Sequence, residues 1–117
     1  MPRVVNETKG TVVAEQVRIA NNMWSRFWGL MFRGSLPEGH GLLLKRSFSI
    51  HTAFMRFPID VIFLDRESRV VKVVPEMRPF RVTAALRGAR DALELSAGAA
   101  AQTGVEPGDR LVLAEES

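Results

Sequence analysis

The run IDVIFLD, residues 59–65, constrains the fold of this chain more than any other segment. Pro58 precedes it, and a proline cannot donate to a strand ladder, so the run begins at a bend, a bulge or an edge. Within a strand, alternate residues share a face. That puts Asp60, Ile62 and Leu64 on one side and Ile59, Val61 and Phe63 on the other. Both sides are apolar, so the strand belongs in the interior and carries Asp60 with it. A buried carboxylate must protonate or find donors. The expected donors are Arg56 across the proline, His51 in the preceding half "SIHTAFMRF", and backbone amides. At least two hydrogen bonds to Asp60 are expected, and its expected job is to fix the bend.

The remaining segments supply partners for that strand. "DRES" makes a tight turn and "RVVKVV" returns beside it. "TVVAEQVRIA" (11–20) alternates imperfectly and reads as one strand, "GLLLK" as a short buried strand, and "LVL" near the end as the last strand. "DALEL" reads as a strand with Leu93 and Leu95 inward and Glu94 outward. In "NNMWSRFWGLMFRG", Trp24, Phe27, Trp28, Met31 and Phe32 fall on one helical face, which is expected to meet the core. Asn22 suits the start of that helix, and Arg33 with Gly34 suits its end. "SAGAAAQTG" reads as a second short helix, capped by Ser96 and stopped by Gly104. "PEMRPFR" (75–81) holds two prolines and reads as an exposed loop. "GVEPGD" lacks a P-loop lysine and a following helix, so it reads as a turn in which Asp109 bonds neighbouring amides.

The count is six or seven strands and two short helices. Helices are too few to cover both faces of a parallel sheet. The expected fold class is therefore mostly β (α+β): a small, largely antiparallel curled sheet or barrel, with helices plugging its ends. The 117 residues fit one domain, with residues 1–10 and 115–117 expected as loose termini.

Composition narrows the chemistry. There is no cysteine, which excludes disulfides, thiolate metal sites, iron–sulfur clusters and cysteine nucleophiles, and which suits a reducing cytoplasm. The start "MPRVVNETKG" has no apolar h-region, and the apolar runs "GLLL" and "VIFL" are far too short to span a bilayer. The expectation is a cytoplasmic chain without membrane insertion. Thirteen of the sixteen basic residues are arginine, yet they are scattered among acids, so the net charge of +3 is no concentrated footprint.

No complete catalytic or metal motif is present. His40 and His51 lack H-x-x-H or HExxH spacing, so no metal or other cofactor is expected. There is no G-x-S-x-G elbow and no Ser-x-x-Lys. His51 with Asp60 has the composition of an acid–base pair. The structural alternative, two buried polar groups satisfied by hydrogen bonds, is the more economical. For nucleic acid, only Phe80 between Arg78 and Arg81 resembles an exposed aromatic flanked by cations, which is a weak footprint.

Three blocks, "WSRFWGLMFRGSLPEGHGLLL", "SIHTAFMRFPIDVIFLD" and "LELSAGAAAQTGVEPGDRL", taken in this order and spacing, resemble the bacterial and archaeal family called domain of unknown function 192. The resemblance covers about residues 11–114. The positions that match its motif are Gly29, Leu30, Met31, Arg33, His51, Met55, Pro58, Asp60, Leu93, Glu94, Gly98, Gly108 and Asp109. It implies a small β-rich domain and brings no reaction, substrate or cofactor.

Function more often sits on loops held by a rigid scaffold. The expectation is a non-enzymatic domain that binds a small molecule or a protein through "PEMRPFR" and the polar rim of residues 49–60. Arg78, Arg81 and Arg56 would meet an anionic group, beside Phe80, with His51 and Asp60 tuning the site. An acid–base enzyme using His51 and Asp60 is the first alternative, and a weak nucleic-acid-binding barrel the second.

Overall fold

The computed structural model describes residues 2–20, 36–45, 57–78 and 87–115. Eight strands and one helix lie among them: β1 (Arg3–Asn6), β2 (Thr11–Ala14), β3 (Gln16–Ala20), β4 (His40–Leu44), β5 (Ile59–Leu64), β6 (Val70–Met77), β7 (Asp91–Ser96), α1 (Ala99–Thr103) and β8 (Leu111–Ala114). The aromatic helix expected at 22–33 falls outside the described residues.

The strands form two sheets, one of order β3-β4-β7-β5-β6 and one of order β2-β1-β8. Every pairing is antiparallel except the parallel pair β3–β4. The fold is thus mostly β with a short helix, as the sequence implies, but among the described residues the sheets do not close into a barrel. Side-chain alternation says which face a residue takes; it does not say which strand pairs with which.

One strand expected at 11–20 is in fact two. The main chain turns at Glu15, and the N–H groups of Glu15 and Gln16 both donate to the Gly39 carbonyl at 2.7 and 3.1 Å. Residues before the turn join the small sheet and those after it join the large one, which explains the broken alternation of the segment. The N-terminus is also not loose. β1 is the middle strand of the small sheet, Val4 and Asn6 are buried, and the Pro2 carbonyl accepts the Val17 N–H at 2.9 Å. Four residues are a weak periodic signal, but strands flank them on both sides and supply ladder partners.

Two apolar layers sandwich the large sheet's residues. Between the sheets lie Val4, Val13, Ala14 and Leu111 from the small sheet against Leu43, Ile62, Leu64, Leu93 and Leu95 from the large one, with Ala99 and Ala100 of α1 closing one end. On the other face, Leu42, Leu44, Val61, Phe63 and Ala92 join Leu36, Ile59 and Met77. Strand β5 is therefore buried at all six positions, which accounts for its unbroken apolar run. Its two faces divide as alternation requires. Strand β7 is covered on both sides as well, so Glu94 is buried at 3% exposure instead of pointing outward. It shares its face with its register partners Leu42 and Val61.

Candidate functional site

Asp60 is completely buried. Its side chain lies on the inter-sheet face, beside α1. Oδ1 accepts the main-chain N–H of Glu76 at 2.8 Å and of Gly98 at 3.1 Å; Oδ2 accepts that of Ala100 at 2.8 Å. One carboxylate thus joins three segments: β5, the end of β6 and the start of α1.

Each donor is free for a local reason. Along β5 and β6, Ile59 pairs with Met77 but Val61 with Val74, so β6 carries one extra residue opposite Asp60. That is a β-bulge at Pro75-Glu76, where proline is tolerated because no ladder bond is asked of it. Glu76 has φ of 48°, a left-handed conformation that a non-glycine residue seldom takes. Its N–H, turned out of the ladder, donates to Asp60. At α1, Gly98 is the N-cap with φ of 90° and no side-chain cap of its own. The first turn of a helix leaves N–H groups without intrahelical acceptors. Asp60, reaching from a distant strand, takes two amides there.

Ser96 is therefore not the cap; it ends β7, two residues before the N-cap position. Gly104, with φ of 72°, stops the helix as expected. Pro75, Glu76 and Met77, expected in an exposed loop, belong to β6, and Met77 is buried. Among the described residues, the hydrogen bonds to Asp60 come from the backbone amides of Glu76, Gly98 and Ala100. Arg78 follows directly after the strand and is exposed. His51, Arg56, Phe80 and Arg81 lie outside the described residues, so of the expected set the structure describes Asp60, buried, and Arg78, exposed.

A second polar cluster sits on the small sheet, and the sequence showed half of it. Asp109 bonds its own turn as expected, with Glu106 N–H to Oδ2 at 3.0 Å. It also accepts the buried Asn6 side-chain amide at 2.8 Å, and the Lys9 ammonium stands 3.2 Å from the same oxygen. Lys9 further contacts Glu106 and the Gly104 carbonyl. The Asn6 bond, chiefly, holds the Asp109 carboxyl below the usual carboxylate range; burial opposes it, and the Glu106 amide and Lys9 reinforce it. Lys9 is raised in turn, first by Glu106, against desolvation, and then by Asp109.

Glu76 and Asn6 were not singled out from the sequence, and Glu94 was expected to face outward. A proline inside the run "VVPEM" is a legible signal for a bulge, and with it for Glu76. Nothing local marks Asn6, whose partner is 103 residues away. Among the described residues, no group of three or more His, Asp or Glu is placed to hold a metal ion, and no helix is long and apolar enough to cross a membrane.

Comparison with known proteins agrees with this fold. A UPF0127 protein of Pyrococcus furiosus is 37% identical over 115 residues, covering 92% of this chain and 95% of its own. A UPF0127 protein of Pyrococcus abyssi is 35% identical over 114 residues, covering 92% and 94%. The crystal structure of a protein of unknown function from Novosphingobium aromaticivorans superposes with a TM-score of 0.82 at 26% identity, covering 96% of this chain and 84% of that one. The family model DUF192, described as "Uncharacterized ACR", matches residues 4–113, which takes in β1 and so extends further towards the N-terminus than the three sequence blocks. The chain belongs to the DUF192 family.

Proposed function

We propose that residues 1–117 form a single, non-enzymatic binding domain whose binding surface is built on the β6 bulge and the segment that follows it. The surface takes an anionic group, a carboxylate or phosphate of a small molecule or of a protein. Arg78 lies on it, and Phe80 and Arg81 follow in sequence. Arginine grips such groups with two parallel hydrogen bonds. His51 and Arg56 complete the expected set.

The observation that carries this reading is the engagement of Asp60. Both its oxygens take main-chain N–H groups, and one of these comes from Glu76, held at a positive φ. Bulges re-aim side chains next to sites, and strained backbone persists only where its surroundings over-determine it. Asp60 is the brace that does so. The acid–base alternative asks the same carboxylate to orient His51, and its commitment to three amides weighs against that. The cysteine-free composition suits a reducing cytoplasm, which is the compartment we propose.

The test is a thermal-shift screen against anionic metabolites and nucleotides, repeated on the Arg78→Ala/Arg81→Ala variant. A ligand of the native state raises the melting temperature by mass action. The variant alone should melt within about 0.5 kcal/mol of the parent, as most surface substitutions do, and should lose the ligand-induced rise. A rise that survives in the variant, or a large loss of intrinsic stability, overturns the assignment of the surface.

A further inference from the structure

The outer face of the small sheet is apolar at its centre and meets water. Along β1 and the residue after it, Arg3, Val5 and Glu7 alternate onto this face, away from the buried Val4 and Asn6. Val5 pairs with Val12 of β2 on one side and with Val112 of β8 on the other, so the three valines make one row across the whole sheet. Val12 is 37% exposed, and Val5 and Val112 are half-buried. To one side of the row, Arg3 pairs with Ala114. To the other side stand Glu7 and Arg110. The Glu7 N–H donates to the Arg110 carbonyl at 2.8 Å, and Glu7 Oε1 accepts from Arg110 Nη1 at 3.3 Å.

The charges that flank the valine row are unequally supplied. Arg3 Nε is shielded from water and has no hydrogen-bond acceptor among the described residues. The Glu7 side chain is 56% exposed, and its bond to Arg110 uses Oε1. A carboxylate accepts on both oxygens, so Glu7 can take a second cation and keep the first. Arg3 and Glu7 stand on opposite sides of Val5, roughly 13 Å apart along the strand.

We propose that this face joins two copies of the chain about a two-fold axis that runs along the valine row. A turn about that axis lays each valine of the row on the same valine of the second copy and reverses the strands. Arg3 of one protomer then lies over Glu7 of its partner, and Ala114 over Arg110. The face is thus complementary to itself. The arginine meets a carboxylate with an oxygen to spare, and the small alanine leaves room for the long Arg110. Every contact is made twice, as an isologous interface requires. Sheets that pack face to face keep their strands within about 30° of one another, which this arrangement allows. An axis along the strands instead would set Arg3 on Arg3 and Glu7 on Glu7. The face is small, since three strands of about five residues span roughly 14 by 16 Å. A standard interface buries about 800 Å² per partner, so this dimer is weak and forms at high concentration.

Sedimentation equilibrium of the full chain from about 10 μM to about 1 mM, the range of weak association, tests this. The weight-average mass should rise from the 13.0 kDa of one chain towards twice that value. Val12→Lys sets two ammonium groups against each other from an exposed edge position and should hold the chain monomeric throughout. Arg3→Glu lays a carboxylate over Glu7 twice in each dimer and should weaken association at least about tenfold. Circular dichroism confirms that both variants are folded. A parent chain that stays monomeric over the whole range overturns the proposal, and is the result expected if a different protein covers the face. A Val12→Lys variant that associates like the parent also overturns it, by putting the contact elsewhere. So does an Arg3→Glu variant that associates like the parent, by removing the pairing of Arg3 with Glu7.

Discussion

Two of the buried aspartates, Asp60 and Asp109, do similar work by different means. Asp60, fully enclosed in the large sheet, is held by three main-chain amides from β6 and the start of α1. Asp109, 5% exposed at the small sheet, is held by the Asn6 side chain, one turn amide and the Lys9 ammonium. Main-chain donors are present whatever the side chains are, so the Asp60 brace can be removed only at Asp60. The Asp109 seam is assembled from side chains, so it can be dismantled piece by piece, and part of it faces water. The first is an all-or-none element; the second is graded and sensitive to conditions.

The largest expected effect follows from deleting the brace. Asp60→Ala leaves three donors without an acceptor at the junction of β5, β6 and α1, and should destabilise the chain by about 3–5 kcal/mol. A chemical denaturation curve measures it. If the variant unfolds like the parent, the brace is not structural, and the His51–Asp60 pair regains its claim to a functional role.

Asn6→Ala should cost less, about 1–3 kcal/mol, because it removes the principal donor to Asp109 but leaves the turn amide and Lys9 in place. The same denaturation experiment checks the ranking. A loss larger than that of Asp60→Ala would invert the comparison and make the seam the principal tie of the fold.

The seam should also show in the pH dependence. The folded Asp109 carboxyl titrates below its ordinary value of 3.8. A group with a depressed folded pKa contributes stability that is fully present above the unfolded pKa and lost as pH falls through the folded one. The stability difference between the parent and Asn6→Ala should therefore be constant near neutrality and shrink below about pH 4. Denaturation midpoints from about pH 6 down to about pH 2 test this; a difference that grows on acidification would contradict the assigned cause of the shift.

The smallest effect is expected at Lys9. Its ammonium is at the surface, where salt screens it and water competes for its partners. Lys9→Gln should leave the melting temperature almost unchanged. A marked drop would mean that the seam is closed to water and closer in kind to the Asp60 brace.

Residues 59–64 alone determined a strand, its two faces and the burial of Asp60, because alternation and proline chemistry are local and steric. The β5–β6 hairpin and the Asp109 turn were legible for the same reason, as was the helix stop at Gly104, where a left-handed cap calls for glycine. The three motif blocks also carried the family. What the sequence did not carry was pairing between distant segments. Residues 3–6 looked loose until β2 and β8 flanked them, and residues 11–20 looked like one strand until the two halves joined different sheets. Glu94 alternated correctly with Leu93 and Leu95, yet a second apolar layer covers its face. Asp60 needed donors, and the sequence pointed to its neighbours, but the amides that hold it lie 16, 38 and 40 residues along the chain. Local chemistry sets what each residue needs and which way it points; only the tertiary arrangement decides who meets that need, because any free main-chain amide in the protein can serve and its residue type does not reveal it.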